Sequence, residues 1–243
     1  VTVFMEHRMQ SERPAAWRVF EPGLLDYGEA LQLQHRLVAA RKTGALSTDL
    51  IILLEHPPGF TLGRRGGREN LIVPADVLAN AGIQVIQAER GGNITYHGPG
   101  QLVAYLIRDL EAAKMGVKDF VHCLEEVMIR TAAEWGVAAE RNPVNRGIWF
   151  GNSKMGSIGI AIRRGITYHG LAFNVDMSLE PFGWINPCGL ADVGITSLQA
   201  ASGRPLNMPS VGHAFKVHVQ SVFGTELVSI ERDEVEKVLL TDA

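Results

Sequence analysis

Residues 90–105 read Arg90-Gly-Gly-Asn-Ile-Thr-Tyr-His97-Gly-Pro-Gly-Gln-Leu-Val-Ala-Tyr105. Glycines and a proline recur through the run, although a protein core rarely clusters them. Glycine loses much backbone entropy on folding and is used where a chain bends sharply or approaches a ligand closely. Polar side chains stand among these residues, namely Arg90, Thr95, His97 and Gln101. We therefore predict that residues 90–100 form a ligand-binding loop.

The residues that follow this run support the same interpretation. Residues 102–107 are continuously apolar, which predicts a short buried strand. A polar, glycine-rich loop leading into a buried strand presents binding groups on a rigid support. A plain connecting loop with incidental polar residues is the alternative for any one of these positions, but it explains the whole cluster poorly.

The composition of the chain limits the classes of function that it can have. The chain has 243 residues, 46% of them hydrophobic and 20% charged, which is typical of a globular protein. Its formal net charge of -3 indicates no overall basic field for nucleic acid. No apolar stretch approaches the ~20 residues that a membrane-spanning helix needs. Two cysteines are too few for a disulfide scaffold, so we expect a cytoplasmic location.

Hydrophobic periodicity and turn residues predict the elements. Helices are predicted at residues 27–41, 74–80, 119–135, 209–223 and 233–240. Strands are predicted at residues 17–20, 50–54, 85–86, 102–107, 148–150, 154–162 and 166–175. Helices mixed with strand pairs favour an α+β or mixed α/β fold with a largely antiparallel sheet. We expect residues 1–16 to form an irregular arm and residues 17–243 a single domain.

A second group of residues points to nucleophilic chemistry. Lys154 stands at the head of an apolar strand, where desolvation would favour the neutral amine and make it usable as a base. Cys188 lies between Pro187 and Gly189, in a tight turn where a thiol can be exposed and reactive. A lysine can help to form a thiolate. Taken singly, a surface lysine and a structural thiol are the favoured interpretations of these residues, and their spacing does not bring them together.

Two histidines share a local pattern, because His97 and His169 each follow a tyrosine and precede a glycine. We interpret both as residues that line or orient a pocket. Metal binding would need a third ligand at a suitable spacing, and none is evident, so no metal is expected. Cys123 lies beside the apolar face of the predicted helix 119–135 and is interpreted as core filler.

Together these residues resemble the lipoyl(octanoyl) transferases. The family signature is Arg-Gly-Gly, two free positions, Thr, an aromatic and His, followed by a Gly-rich segment, Gln and Tyr, and residues 90–105 fill every position. Further matches lie at residues 55–57, 61–63, 154, 157–159, 169–175, 186–189 and 194–198. Gly156 departs from the pattern, since many relatives carry a small side chain there.

The resemblance implies a single α/β domain related to the catalytic domains of lipoate and biotin protein ligases. It implies a catalytic pair formed by Cys188 and Lys154, and no metal or cofactor, because a thioester substrate is already activated. It also implies an acyl-binding site formed by Arg90, Gly91, Gly92, Asn93, Ile94, Thr95, Tyr96, His97, Ser157, Ile158, Gly159, His169, Gly170, Leu171 and Ala172.

The resemblance further implies the partners. The donor would be octanoyl-acyl carrier protein, and the octanoyl or lipoyl group would pass through an acyl-cysteine thioester to a lysine. The acceptors would be lipoyl domains of 2-oxoacid dehydrogenases and the H protein of glycine cleavage, with neither nucleic acid nor membrane involved. Acyl carrier proteins are acidic, so the arginines at 64–68 and 163–164 are candidate docking points.

Three other functions stay open at this stage. An ATP-dependent lipoate or biotin ligase on the same fold would need a nucleotide-binding loop and would not need Cys188. A catalytically silent protein could hold acylated carriers without turnover. A thioesterase would release free octanoate when no acceptor is present.

Overall fold

The computed structural model describes residues 16–143, 145–186 and 194–240. Its strands are β1 (Trp17–Leu24), β2 (Leu50–Glu55), β3 (Gly59–Leu62), β4 (Gln84–Gln87), β5 (Ile94–His97), β6 (Gln101–Ile107), β7 (Glu140–Arg141), β8 (Gly147–Phe150), β9 (Ser153–Arg163), β10 (Ile166–Asn174), β11 (Gly194–Ile195) and β12 (Leu227–Ile230). Its helices are α1 (Tyr27–Thr43), α2 (Ala75–Asn80), α3 (Val117–Ala133), α4 (Leu198–Ser202), α5 (Met208–Phe223) and α6 (Arg232–Leu240).

The strands form two sheets. The main sheet has the order β12-β1-β2-β6-β10-β9-β8-β7, with β11 beside β9. Strands β12, β1 and β2 run parallel, as do β11 and β9, whereas the other neighbours are antiparallel. A second sheet has the order β4-β3-β5. This mixed α/β arrangement with a largely antiparallel main sheet confirms the predicted fold class.

Helices cover both faces of the main sheet. Phe120 of α3 and Phe215 of α5 pack on one face, and Leu37 of α1 and Val235 of α6 pack on the other. Strands β6 and β10 lie at the centre and are buried at every position. A strand covered on both faces needs apolar side chains in both directions, which explains the continuous apolar run after the glycine-rich stretch.

The small sheet has a core of its own and corrects one prediction. Residues 94–97 were predicted as part of a loop, but they form β5 and pair with β3. Ile94 is buried in this core, and the Tyr96 ring packs against Phe60 and Phe182, at centroid distances of 5.3 and 5.6 Å. The strand is only four residues long and is surrounded by glycines and polar residues, so its pattern did not distinguish it from a loop.

The other differences are in short strands and at element ends. Strands β3 and β12 were not predicted, because each has only four residues and so shows little periodic pattern. Pro74 caps α2 rather than beginning it, with an extended backbone at φ -62° and ψ 155°. Residues 1–15, most of the predicted arm, lie outside the described residues. None of the helices that the model describes is long and apolar enough to cross a membrane.

Candidate active site

A cavity of about 520 Å³ is lined by nearly all the predicted acyl-binding residues. Its walls come from the segment before and within β5, from β9 and β10 of the main sheet, and from Tyr27 at the start of α1. The lining residues named in the prediction are Arg90, Gly91, Gly92, Asn93, Ile94, Thr95, His97, Lys154, Ser157, Ile158, Gly159, His169, Gly170, Leu171 and Ala172.

Arg90 holds the glycine-rich segment against the small sheet. Its Nη2 donates to the Thr61 carbonyl oxygen at 2.6 Å and to Thr61 Oγ1 at 2.8 Å. The next residue crosses to the main sheet, where Gly91 N–H donates to the Ile160 carbonyl at 3.0 Å. A side chain at Gly159 would come within 2.9 Å of the Gly91 oxygen, so glycine allows this close approach of the two sheets.

Several of the lining residues on β9 and β10 are small, namely Ser157, Gly159, Gly170 and Ala172. A Cβ atom at Gly170 would lie 2.1 Å from the Ala104 carbonyl oxygen, so only glycine fits where β10 pairs with β6. Ser157 and Ala172 pair directly across β9 and β10, and their side chains are small. The cavity can therefore accept a long, narrow substrate group along the strands.

Lys154 lines the cavity at the start of β9, where the pairing with β8 shifts register. Its side chain is largely buried, with only 8% of the residue exposed. The Nζ atom donates to Asn145 Oδ1 at 2.6 Å and lies 5.6 Å from the centroid of the Trp149 ring. A lysine held in this way is available to a group inside the cavity, as a base needs to be.

The other half of the predicted catalytic pair, Cys188, lies outside the described residues. The chain resumes at β11, where Ile195 pairs with Lys154 and also lines the cavity. Cys123 is on α3, is partly buried, and forms no disulfide with any of the described residues. Burial raises the pKa of its thiol, as expected for a structural cysteine.

Beside the cavity, two histidines take part in buried hydrogen-bond networks. His56 bridges the Leu25 carbonyl at 2.6 Å and the Tyr105 hydroxyl at 2.7 Å. His97 lies 2.7 Å from Gln101 Oε1 through Nδ1, and 3.2 Å from Thr61 Oγ1 through Nε2. Burial lowers the pKa of His56 and brings the pKa of His97 well below its usual value. Both rings are therefore neutral at physiological pH.

His169 differs from these two because neither ring nitrogen has a hydrogen-bond partner among the described residues. Burial, reinforced by the charge of Arg90, lowers the pKa of His169 to about 3. The Tyr27 hydroxyl is likewise without a partner in the described part of the chain, and burial raises the pKa of Tyr27 to about 12. The residues that line the cavity thus include two whose neutral polar groups are buried and have no hydrogen-bond partner in the described part of the chain.

The structure brings together the predicted residues with two exceptions. Tyr96 does not line the cavity, because its ring packs in the core of the small sheet. Cys188 lies outside the described residues. Sequence reasoning missed several lining residues that belong to no motif, chiefly Tyr27, Asn145 and Arg146, and it had named Arg65 only as a candidate docking point. In the described part of the chain, no group of three or more His, Cys, Asp or Glu could hold a metal ion.

Comparisons with known proteins agree with this geometry. Residues 26–220 match the family model of the lipoyl protein ligase A/B catalytic domain. An octanoyltransferase from Desulfotalea psychrophila is 48% identical over 204 residues, covering 83% of this chain and 92% of the relative. An octanoyltransferase from Caldicellulosiruptor saccharolyticus is 41% identical over 89% of this chain and 92% of its own length.

The fold has a counterpart among solved structures. A lipoate-protein ligase A bound with ATP superposes with a TM-score of 0.69, covering 94% of this chain and 93% of the ligase. The sequence identity in that superposition is only 14%, so the superposition is evidence for the fold alone. The family assignment rests on the sequence relatives and on the family model, which spans most of the chain. The chain therefore belongs to the octanoyltransferase family of the lipoyl protein ligase A/B catalytic domain, and it is an acyltransferase.

Proposed function

We propose that this enzyme transfers an octanoyl group from octanoyl-acyl carrier protein to a specific lysine of a lipoyl domain, through an octanoyl thioester on Cys188. The observation that carries the proposal is the buried Lys154, which lines the same cavity as the residues that match the family signature. The relatives at 48% and 41% identity are octanoyltransferases, which supports an octanoyl donor. We also propose that residues 17–243 form one catalytic domain that acts in the cytoplasm.

The first step exchanges one thioester for another. Lys154 takes the proton of the Cys188 thiol, and the thiolate attacks the carbonyl carbon of the donor thioester. The bond from that carbon to the carrier's sulfur breaks, and the departing thiolate takes the proton from the Lys154 ammonium. The products are octanoyl-Cys188 and the free thiol of the carrier protein. The exchange is close to isoenergetic, because a thioester is lost and another is formed.

The second step forms the product amide. The ε-amine of the acceptor lysine attacks the octanoyl-Cys188 carbonyl, the carbon–sulfur bond breaks, and Lys154 accepts the proton that the amine loses. An amide is more stable than a thioester, so this step drives the cycle forward. Burial of the acyl tail along β9 and β10 would hold the intermediate, at roughly 0.8 kcal/mol for each CH₂ group.

The neutral histidines fit an uncharged acyl group. The lowered pKa values of His97 and His169 keep these two rings uncharged at physiological pH. Buried, uncharged polar groups can donate to the thioester carbonyl, or exchange hydrogen bonds with an ordered water, without placing a charge beside an alkyl chain. The substrate-binding roles of the lining residues from Arg90 to Ala172 are part of this proposal.

Intact-protein mass spectrometry tests the mechanism. After incubation with octanoyl-acyl carrier protein, the wild type should gain the mass of one octanoyl group and lose it when an apo lipoyl domain is added. Cys188→Ala should gain none, and Lys154→Ala should gain it far more slowly. Cys123→Ala is the matched control and should behave as wild type, because the Cys123 thiol is partly buried on α3 and does not line the cavity.

Other outcomes would support the competing functions. Transfer by the wild type with no adduct would exclude a Cys188 thioester. Product formed from free octanoate and ATP would point to a ligase. An adduct that decays to free octanoate as fast without an acceptor as with one would point to a thioesterase. A stable complex with the acylated carrier and no turnover would indicate a silent binding protein.

A further inference from the structure

The segment between β7 and β8 brings an amide to the side chain of Lys154. Asn145 Oδ1 accepts a hydrogen bond from Lys154 Nζ at 2.6 Å, and both residues line the cavity. Asn145 belongs to none of the motifs on which the resemblance rests. The function proposed above makes Lys154 transfer protons in both steps of each cycle and leaves open what keeps its amine in place.

Asn145 is held at its backbone as well as at its side chain. Its N–H donates to Asn142 Oδ1 at 3.1 Å, and its carbonyl accepts from Trp149 Nε1 at 3.1 Å. The Trp149 ring is the same ring that lies 5.6 Å from Lys154 Nζ. The position of the amide therefore does not depend on the lysine alone, and the amide can act as a fixed acceptor.

A buried carboxylate anchors the same segment to helix α3. Glu125 is fully buried, and its Oε1 accepts from Gly147 N–H at 3.1 Å. Its Oε2 lies 3.4 Å from Arg141 Nε and 3.8 Å from Arg146 Nη1, so arginines on both sides of Asn145 face one carboxylate.

Gly147 completes this support on the strand side. A Cβ atom at Gly147 would lie 2.1 Å from the Gly156 carbonyl oxygen and 3.0 Å from Lys154 Cε, and its φ of +125° also favours glycine. The segment that carries Asn145 therefore packs directly against the strand that carries Lys154.

We propose that Asn145 is a positioning residue for Lys154, an inference that rests on the proposed function. An amide oxygen accepts one N–H from either the ammonium or the neutral amine. Because the amide is uncharged, it does not favour the ammonium as strongly as a carboxylate in the same place would. It can therefore hold Nζ in the cavity wall through both halves of the proton-transfer cycle.

Two variants separate the geometric role from a structural one. Asn145→Asp keeps the size and the acceptor oxygen but adds a negative charge that stabilises the Lys154 ammonium. The rising limb of the pH profile of kcat/KM should move about one unit or more to higher pH, with activity regained at alkaline pH. Asn145→Ala removes the acceptor and should lower kcat by about 10- to 100-fold, with KM for octanoyl-acyl carrier protein changed little.

The matched control is Asn152→Asp, which makes the same charge change in the exposed turn between β8 and β9. It should leave the pH profile where it is in the wild type.

A second readout needs no turnover. The rate of reductive methylation of Lys154, followed by peptide mass spectrometry over a pH series, reports how much neutral amine is present. For Asn145→Asp this labelling curve should also move to higher pH.

The outcomes distinguish this inference from the proposed function. The inference is overturned if Lys154→Ala is inactive while both Asn145 variants keep wild-type pH profiles and labelling curves. If Asn145→Asp shifts the labelling curve but Lys154→Ala transfers octanoate as well as wild type, Asn145 does position the lysine and the base role of Lys154 is wrong. Circular dichroism of Asn145→Ala checks folding, and the isosteric Asn145→Asp keeps the test decisive should the alanine variant unfold.

Discussion

At the scale of single residues, His169 shows how one backbone angle alters the cavity. Its φ of +56° lies in the left-handed region, which non-glycine residues rarely adopt. Successive side chains of a regular strand point to opposite faces. Here the rings of Tyr168 and His169 instead stack with centroids 4.9 Å apart. The His169 N–H donates to Gln34 Oε1 at 2.6 Å, which satisfies the backbone at this irregular point of β10.

His169 makes stability depend on pH. Above the ordinary histidine pKa of about 6.5, folded and unfolded chains both carry a neutral ring. Between that value and the native pKa of about 3, the unfolded chain binds a proton that the native state does not. The free energy of unfolding therefore falls with decreasing pH, by up to about 1.4 kcal/mol per pH unit for this histidine.

Urea unfolding of the wild type and of His169→Asn at pH 5, 6, 7 and 8 measures this contribution. Asparagine is chosen because it tolerates a left-handed backbone. The variant should lose less stability than wild type between pH 7 and pH 5. His213→Asn is the control, because His213 is exposed on α5 and its replacement should leave the slope unchanged. Equal slopes for wild type and His169→Asn would contradict a neutral buried ring.

At the scale of elements, α3 acts as the support for one end of the active site. It places the Glu125 carboxylate inside the protein, where Arg141 and the Gly147 N–H contact it. The same helix packs tightly on β9, since a Cβ at Gly156 would lie 2.7 Å from Met128 Sδ and 2.9 Å from Ile148 Cγ1. A side chain at position 156 would therefore need Met128 and Ile148 to shift.

Removal of the Glu125 carboxylate should destabilise the fold. Glu125→Ala leaves the Gly147 N–H without its buried acceptor, while Arg141 keeps its pair with Glu126, and it should lower the free energy of unfolding by about 1–3 kcal/mol. Glu134→Ala, at the exposed end of α3, removes a surface pair with His218 and should change stability by about 0.5 kcal/mol or less. Equal effects of the two substitutions in urea unfolding would show that Glu125 does not anchor the segment.

At the scale of the whole molecule, the cavity joins the two sheets and has arginines beside it. Arg65 and Arg146 line the cavity from different segments, and both are exposed. Arg64 and Arg163 are exposed as well and interact electrostatically with Tyr168. We call these four residues the basic rim. The net charge of the chain is -3, so the basic rim is a locally positive region on a chain that is negative overall.

The basic rim should strengthen the binding of an acidic carrier protein and should not affect the binding of a small thioester. A double variant, Arg64→Glu with Arg163→Glu, should raise KM for octanoyl-acyl carrier protein about tenfold at low salt, and the effect should shrink as salt increases. KM for octanoyl-pantetheine should change little. Arg232→Glu, in α6 after the edge strand β12, is the control and should behave as wild type. An unchanged KM for the carrier protein in the double variant would refute docking at the rim.

Much of the architecture could be predicted from local patterns. Helices α1, α3 and α5 and strands β2, β6, β9 and β10 were predicted within a few residues, because their apolar residues recur with regular periods. Strand β5 was missed, because its pattern is short and its partners, β3 and Phe182, lie elsewhere in the chain. The cavity residues around Arg90, Ser157 and Gly170 were found through motifs, whereas Asn145 and Tyr27 belong to no motif.

The sequence by itself determined the fold class, the glycine-rich segment and the candidate lysine, because each depends on residue types and spacings within a single stretch of chain. Only the tertiary structure decided that Asn145 contacts Lys154, that Tyr96 belongs to the core of the small sheet, and that His169 turns toward Tyr168. These outcomes depend on contacts between separate segments, such as the one from His169 to Gln34, 135 residues away. Local periodicity carries no information about which distant residue fills a given space.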